Sequence, residues 1–137
     1  IEQGILRNYG LALGTAYQLY DDCLDLFGSE KEAGKSLGTD LGTGKITLPI
    51  LIILESGTNS DRLMLQNCIE SLEPNDLEKI FELLTKYDAL SGTQSVVQQY
   101  IKSAQLGLGQ LRPSKGVEAL AALGEYLAQQ CGALGVN

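Results

Sequence analysis

Three aspartates stand close together in the pentapeptide DDCLD, at Asp21, Asp22 and Asp25. In an α-helix, at about 100° per residue, Asp21 and Asp25 would lie about 40° apart on one face and about 6 Å apart along the axis. Two carboxylates so placed can share a divalent cation, and magnesium prefers oxygen ligands while keeping several waters. The spacing therefore predicts one side of a magnesium site, with Gln18 on the same stripe one turn earlier.

A glycine-rich segment, GKSLGTDLGTGKITLP, follows the acids. Its glycines permit tight turns and a backbone that approaches phosphate groups closely. Lys35 and Lys45 would supply point charges for those phosphates. Taken alone, the segment reads as a flexible surface loop with two solvated lysines, and acids on a helix are usually solvated too. The close succession of the two patterns instead favours a site for a diphosphate and its magnesium.

The element that must position the acids is a long helix, predicted from about residue 2 to residue 27 and ended by Gly28. Opposite the acid stripe, apolar side chains recur at steps of three and four residues: Tyr9, Leu13, Ala16, Tyr20, Leu24 and Phe27. Leu19, Cys23 and Leu26 widen this arc, which indicates a largely buried helix. Because unpaired buried carboxylates are costly, the acid stripe is expected to face a wet cavity.

The rest of the chain reads as further helices, over about 49–55, 61–71, 74–87 and 93–111, with a last one capped by Ser114. The segment from Ile46 to Leu54 is apolar nearly all round and is therefore predicted to be buried. Residues 88–92 read as a break, because they end in a glycine. No segment is predicted to be a strand. The expected fold class is all-α, a helical bundle in one domain over residues 1–137.

Charge and cysteine usage exclude several classes of protein. The net charge of −7 argues against nucleic acid and an anionic membrane surface as partners. The apolar run at 46–54 is far too short to span a membrane. Three widely spaced cysteines and the lack of histidine argue against a zinc site. Buried, reduced thiols in a cytoplasmic protein are the expected state.

The run AYQLYDDCLD followed by GKSLGTDLGTGKITLP resembles the second aspartate-rich motif and following loop of the trans-polyprenyl diphosphate synthases. The resemblance covers about Gly10 to Glu55. It implies an all-α isoprenoid synthase fold in which two aspartate-rich motifs face each other across a central cavity. It also implies a magnesium-dependent transferase of isoprenoid biosynthesis, which condenses an allylic diphosphate with isopentenyl diphosphate.

The resemblance also implies roles for individual residues. The three acids of DDCLD match the metal-binding acids of the motif, and Gln18 matches a polar neighbour at the substrate. Lys35 and Lys45 match lysines that contact the allylic diphosphate, which makes them the candidate catalytic and substrate-binding residues. Tyr17 stands where the family more often has phenylalanine.

The chain contains no first aspartate-rich motif and no segment that matches the family's isopentenyl diphosphate site. We therefore interpret it as the C-terminal half of a synthase, inactive alone. We also expect it to form a homo-oligomer through apolar faces that other helices would cover in a complete synthase. Two alternatives stay open. One is a non-catalytic, prenyltransferase-like partner subunit that forms a helical dimer, and the other is a small bundle without a ligand.

Overall fold

The computed structural model describes residues 1–29 and 38–135. These residues form α-helices joined by short turns, and no strand occurs among them, so the predicted all-α fold class is confirmed. In chain order the helices are α1 (Glu2–Phe27), α2 (Thr39–Gly42), α3 (Leu48–Ser56), α4 (Asn59–Ser71), α5 (Pro74–Lys86), α6 (Ala89–Leu108) and α7 (Lys115–Gly132).

The chain divides into two compact units. The first unit contains residues 1–20 and 94–137, and the second contains Asp21–Thr93. Each unit has its own buried apolar side chains. None of the helices in the described part of the chain combines the length and the apolarity needed to cross a membrane.

In the first unit, small side chains let α6 and α7 approach each other closely. Gly124 on α7 has no Cβ, and an added one would lie 3.4 Å from the Gln105 side chain and 3.6 Å from Ile101. Side-chain hydrogen bonds reinforce this packing. Gln94 donates to the carbonyl of Cys131 at 2.8 Å, and the Tyr9 hydroxyl on α1 donates to the carbonyl of Leu120 at 2.7 Å. The predicted role of the small residues of α7 in close packing is consistent with this contact.

The second unit is built around a core in which α3, α4 and α5 pack together. Its fully buried side chains include Ile50 and Ile53 of α3, Leu65 of α4 and Ile80 of α5. Leu26 of α1 joins the same core. The acid-bearing end of α1 is therefore anchored by apolar burial, which stabilises its orientation within this unit.

The starts of α4 and α5 follow ordinary capping chemistry. Thr58 precedes α4, and its hydroxyl accepts the N–H of Asp61 at 3.1 Å. Before α5, the carboxylate of Asp76 accepts the N–H of Glu73 at 3.0 Å. These bonds satisfy donors that the first turn of a helix cannot pair internally.

Two sequence-based predictions need correction. The predicted break at 88–92 is only a short turn, and α6 begins at Ala89 rather than near residue 93. Gly92 lies inside the helix, where an added Cβ would come within 3.0 Å of Ile52, so packing rather than chain breaking explains this glycine. The segment predicted to be buried all round is not, because Ile46 and Leu51 are 43% and 46% exposed.

The prediction of a buried arc on α1 is confirmed in part. Ala16, Cys23 and Leu26 are buried, as is Tyr9. The other four members of the predicted arc and Leu19 are half-buried. The three cysteines are buried and form no disulfide bonds, as predicted.

Candidate functional site

The acids of α1 and the glycine-rich loop meet in an ion pair within the second unit. The ammonium of Lys45 donates to Oδ1 of Asp22 at 2.5 Å. The Asp22 side chain is only 9% exposed, whereas that of Lys45 is 44% exposed. On the loop side, Oδ2 of Asp40 lies 4.0 Å from the same ammonium. Lys45 thus joins an acid of α1 to an acid of α2 while keeping part of its surface open.

Several carboxylates act on this one ammonium. The pKa of Lys45 is raised, first by the hydrogen bond to Asp22 and then by the negative charges of Asp22, Asp40 and Asp21, although partial burial opposes the shift. Asp21 itself is half-buried. Lys45 therefore stays protonated at neutral pH, beside an excess of negative charge among the described groups.

Asp25 is bound differently. It is fully buried, and its Oδ2 accepts the backbone N–H of Asp40 at 3.1 Å. The backbone carbonyl of Asp25 accepts the N–H of Gly38 at 2.8 Å. Both the side chain and the backbone of Asp25 therefore hold the beginning of α2 against α1.

The turn after α2 returns the chain to the acids. Gly38 and Gly44 have φ of 74° and 77°, a left-handed conformation that glycine adopts without steric cost. Between them, Leu41 is 2% exposed and belongs to the core of the second unit. The N–H of Lys45 then donates to the backbone carbonyl of Asp40 at 2.8 Å. Two glycines and one buried leucine thus determine where Lys45 emerges.

The structure brings together part of the predicted set. Asp22, Asp25 and Lys45 contribute to one constellation, and the charge of Asp21 acts on it. Gln18 is exposed on α1 in the first unit, where it lines a shallow groove with Gly10, Leu11, Gly14, Thr15 and Leu19. Lys35 lies outside the described residues.

Asp40 is the site residue to which sequence analysis assigned no role. It contacts both Asp25, through its N–H, and Lys45, through its carboxylate and its carbonyl. The feature of the sequence that could have indicated Asp40 is its position as an acid within the glycine-rich loop, in the tripeptide GTD. Its importance depends on the folding back of the loop, which no periodicity in the sequence describes.

The donor chemistry fits magnesium, because carboxylate oxygens are ligands that this ion prefers. Within residues 1–29 and 38–135, however, no three acidic, cysteine or histidine side chains are grouped closely enough to hold a metal ion by themselves. A metal at this site would need further oxygens from water or a ligand. That requirement suits magnesium, which binds through one or two carboxylates together with phosphate oxygens.

Comparison with known proteins identifies the family. Residues 2–86 match the family model of the polyprenyl synthetases, so the chain belongs to the polyprenyl synthetase family. The chain is 34% identical over 122 residues to heptaprenyl diphosphate synthase component 2 of Bacillus subtilis, covering 89% of this chain and 34% of that protein. It is 33% identical over 130 residues to octaprenyl diphosphate synthase of Escherichia coli, covering 94% of this chain and 40% of that protein.

Solved structures agree with these relatives and with the all-α isoprenoid synthase fold. A polyprenyl synthase from Caulobacter crescentus, complexed with calcium and isoprenyl diphosphate, superposes with a TM-score of 0.80 at 34% identity. That match covers 91% of this chain and 39% of the other. A polyprenyl synthase from Roseobacter denitrificans gives a TM-score of 0.81 at 29% identity. The chain spans less than half the length of these proteins, between 34% and 41% of each.

Proposed function

We propose that this chain forms one half of a magnesium-dependent trans-prenyltransferase site, which binds an allylic diphosphate for condensation with isopentenyl diphosphate in isoprenoid biosynthesis. The observation that carries the proposal is the arrangement of Asp21, Asp22 and Asp40 around the partly exposed ammonium of Lys45. Family membership and the diphosphate bound by the Caulobacter crescentus protein support it.

Each residue of the constellation has a separate task in this proposal. Asp21 is half-buried and offers its carboxylate to magnesium, and Asp22 lies beside it. Magnesium, when bound, offsets the negative charge that develops on the leaving diphosphate. Lys45 contributes a charged donor to the diphosphate. Its side chain is 44% exposed, and its raised pKa keeps the ammonium protonated. Stabilisation of developing charge by fixed charges and donors usually accounts for more of an enzyme's rate enhancement than any other effect.

Two further roles, for Lys35 and Gln18, are proposed from the sequence alone. Lys35 supplies a second donor to the diphosphate, and Gln18 contacts the substrate further along α1. Asp25 belongs to the predicted metal-binding motif, although its complete burial and its hydrogen bond to the loop favour another role.

The second candidate function is a prenyltransferase-like partner subunit that pairs with another chain. The name of the Bacillus subtilis relative, a synthase component 2, favours it. Exposed apolar side chains on α1, including Leu6 at 44% and Leu11 and Tyr17 at 59% each, would support homo-oligomer formation.

The buried cysteines, which form no disulfide bonds, support a reducing compartment, which we propose is the cytoplasm.

Calorimetry with inorganic pyrophosphate tests the site. We expect magnesium alone to bind weakly to the 137-residue chain and to bind at least about tenfold more tightly once pyrophosphate is present. Asp21→Asn should abolish that gain, whereas Asp88→Asn, at an exposed turn outside the site, should preserve it. Equal magnesium affinity with and without pyrophosphate would contradict the proposal. A parallel assay with radiolabelled isopentenyl diphosphate should detect no elongation by the chain alone.

A further inference from the structure

Asp25 is the fully buried acid of the DDCLD motif. Its carboxylate provides the hydrogen-bond acceptor that an N-cap side chain would normally provide at the start of α2. The residue at the N-cap position of α2 is Gly38, which has no side chain and makes no capping bond. The first N–H groups of a helix have no partner within the helix. An N-cap side chain normally accepts the N–H of the second or third helical residue. Asp40 is the second residue of α2, and its N–H is the group that Asp25 accepts.

A second hydrogen bond tightens the same junction. The N–H of Gly38 donates to the backbone carbonyl of Asp25 at 2.8 Å. The carboxylate of Asp25, on α1, therefore replaces the N-cap side chain that α2 lacks. Its backbone carbonyl also binds Gly38, the N-cap residue itself.

The junction is connected to Lys45 by one further bond. Asp40, held by Asp25, accepts the N–H of Lys45 through its backbone carbonyl at 2.8 Å. Lys45 then places its ammonium on Asp22. Loss of the Asp25 carboxylate would consequently loosen the segment that presents both Lys45 and the Asp40 carboxylate.

We infer that Asp25 is a positioning residue, which caps α2 from α1 and thereby holds Lys45 and Asp40 beside Asp21 and Asp22. The inference deepens the proposed function and depends on it for its catalytic meaning. It separates Asp25 from the metal-binding role that the motif suggests. Asp21 and Asp25 share a helix face in the sequence pattern, but Asp25 is fully buried and turned to the loop backbone.

Hydrogen exchange of backbone amides tests the capping role without any ligand. In Asp25→Ala, the amides of Asp40 and Lys45 should exchange about tenfold faster than in the unsubstituted chain. Asp25→Asn should accelerate them less, by about threefold, because its amide oxygen still accepts a hydrogen bond. Asp21→Asn should leave both amides unchanged. Unchanged exchange at Asp40 in Asp25→Ala, or equal acceleration in Asp21→Asn, would overturn the inference.

Asp76 offers a matched control, because its carboxylate also accepts a backbone N–H at a helix start, that of Glu73. Asp76→Ala should accelerate exchange at Glu73 and leave Asp40 unaffected. An acceleration at Asp40 of the same size would mean that general destabilisation, rather than the local cap, explains the Asp25 variants.

Calorimetry with magnesium and inorganic pyrophosphate then separates positioning from metal binding. Asp25→Asn should retain affinity within about threefold, whereas Asp21→Asn should lose at least about tenfold, because only the latter removes a ligand charge. Equal losses in both variants would assign Asp25 to the metal. If the unsubstituted chain binds no pyrophosphate, the proposed function fails, while the exchange data still decide the capping role. If Asp25→Ala does not fold, Asp25→Asn decides both measurements.

Discussion

Lys45 and Lys86 each donate to a buried aspartate in the second unit, at 2.5 Å to Asp22 and 2.7 Å to Asp61. The exposures are alike as well: 44% and 59% for the two lysine side chains, and 9% and 10% for the two acids. By distance and burial alone the two ion pairs would be assigned the same role. Their surroundings differ, and that difference separates a structural contact from a candidate site.

At Asp61 the partners balance one another. Its Oδ2 accepts hydrogen bonds from Lys86 and from the Tyr87 hydroxyl, and that hydroxyl also accepts the N–H of Thr58 at 3.1 Å. These contacts join the start of α4 to the end of α5. The hydrogen bonds from Lys86 and Tyr87 lower the pKa of Asp61. The negative charge of Asp61 is balanced by the positive charge of Lys86, and the Tyr87 hydroxyl adds a hydrogen bond, so this cluster does not require a further cation.

At Lys45 the balance is reversed. One ammonium faces the charges of Asp21, Asp22 and Asp40. Like charges grouped at this density favour an added cation, and a bound cation would become the largest local charge. The number of acids around Lys45, rather than the geometry of one ion pair, therefore distinguishes the candidate metal and diphosphate site from the Asp61 cluster.

The largest expected effect comes from exchanging Lys45, but not Lys86, for an uncharged side chain. Lys45→Met should weaken binding of pyrophosphate in the presence of magnesium by about 10- to 100-fold, because it removes the charged hydrogen bond that the Lys45 ammonium is proposed to donate to pyrophosphate. Lys86→Met is the matched control, since it breaks the equivalent pair away from the site, and should leave that binding unchanged. Calorimetry on both variants checks this. Equal losses would erase the distinction between the two pairs.

Tyr87 should matter for stability and not for binding. Tyr87→Phe removes the hydroxyl that Asp61 accepts and should lower the free energy of unfolding by about 1 kcal/mol. Urea denaturation followed by circular dichroism measures this loss. Tyr126→Phe serves as the control, because Tyr126 is 60% exposed. A Tyr87→Phe variant as stable as that control would remove the basis for calling the Asp61 cluster structural.

The smallest expected effect is the acid dependence of the same cluster. Because folding lowers the pKa of Asp61 below 3.8, the unfolded chain binds more protons in that range. The stabilisation is therefore complete above about pH 5 and is lost progressively as the pH falls through the folded value. Asp76, whose pKa is lowered to about 2, contributes in the same direction.

The measurement is the thermal unfolding midpoint of Asp61→Asn against the unsubstituted chain. The midpoint difference should be full at pH 7 and should shrink steadily below pH 3.8, the ordinary pKa of the group. Asp88→Asn should show no such pH dependence. A difference that stays constant down to pH 2 would mean that Asp61 stabilises the fold through its shape instead of its charge.

Local patterns in the sequence predicted most of the helices. The all-α class, the end of α1 at Phe27, the start of α5 at Pro74 and the Ser114 cap of α7 were all readable, because helix periodicity and capping depend on residues a few positions apart. The apolar arc of α1 was readable for the same reason. Gly92 is the exception, because it lies inside α6 and its missing side chain makes room for Ile52 of α3.

Sequence also determined which residue types could serve a diphosphate and magnesium, namely the three acids of DDCLD and the lysines of the loop. Tertiary structure alone decided which partners the described members of this set contact. Asp22 meets Lys45 across 23 residues, and Asp25 meets Asp40 across 15. These pairings depend on two left-handed glycines and the burial of Leu41, which fold the loop back onto α1. The helical periodicity of the sequence predicts which face of the helix an acid occupies. Only the tertiary structure determines whether that acid contacts an ammonium, a backbone N–H or solvent.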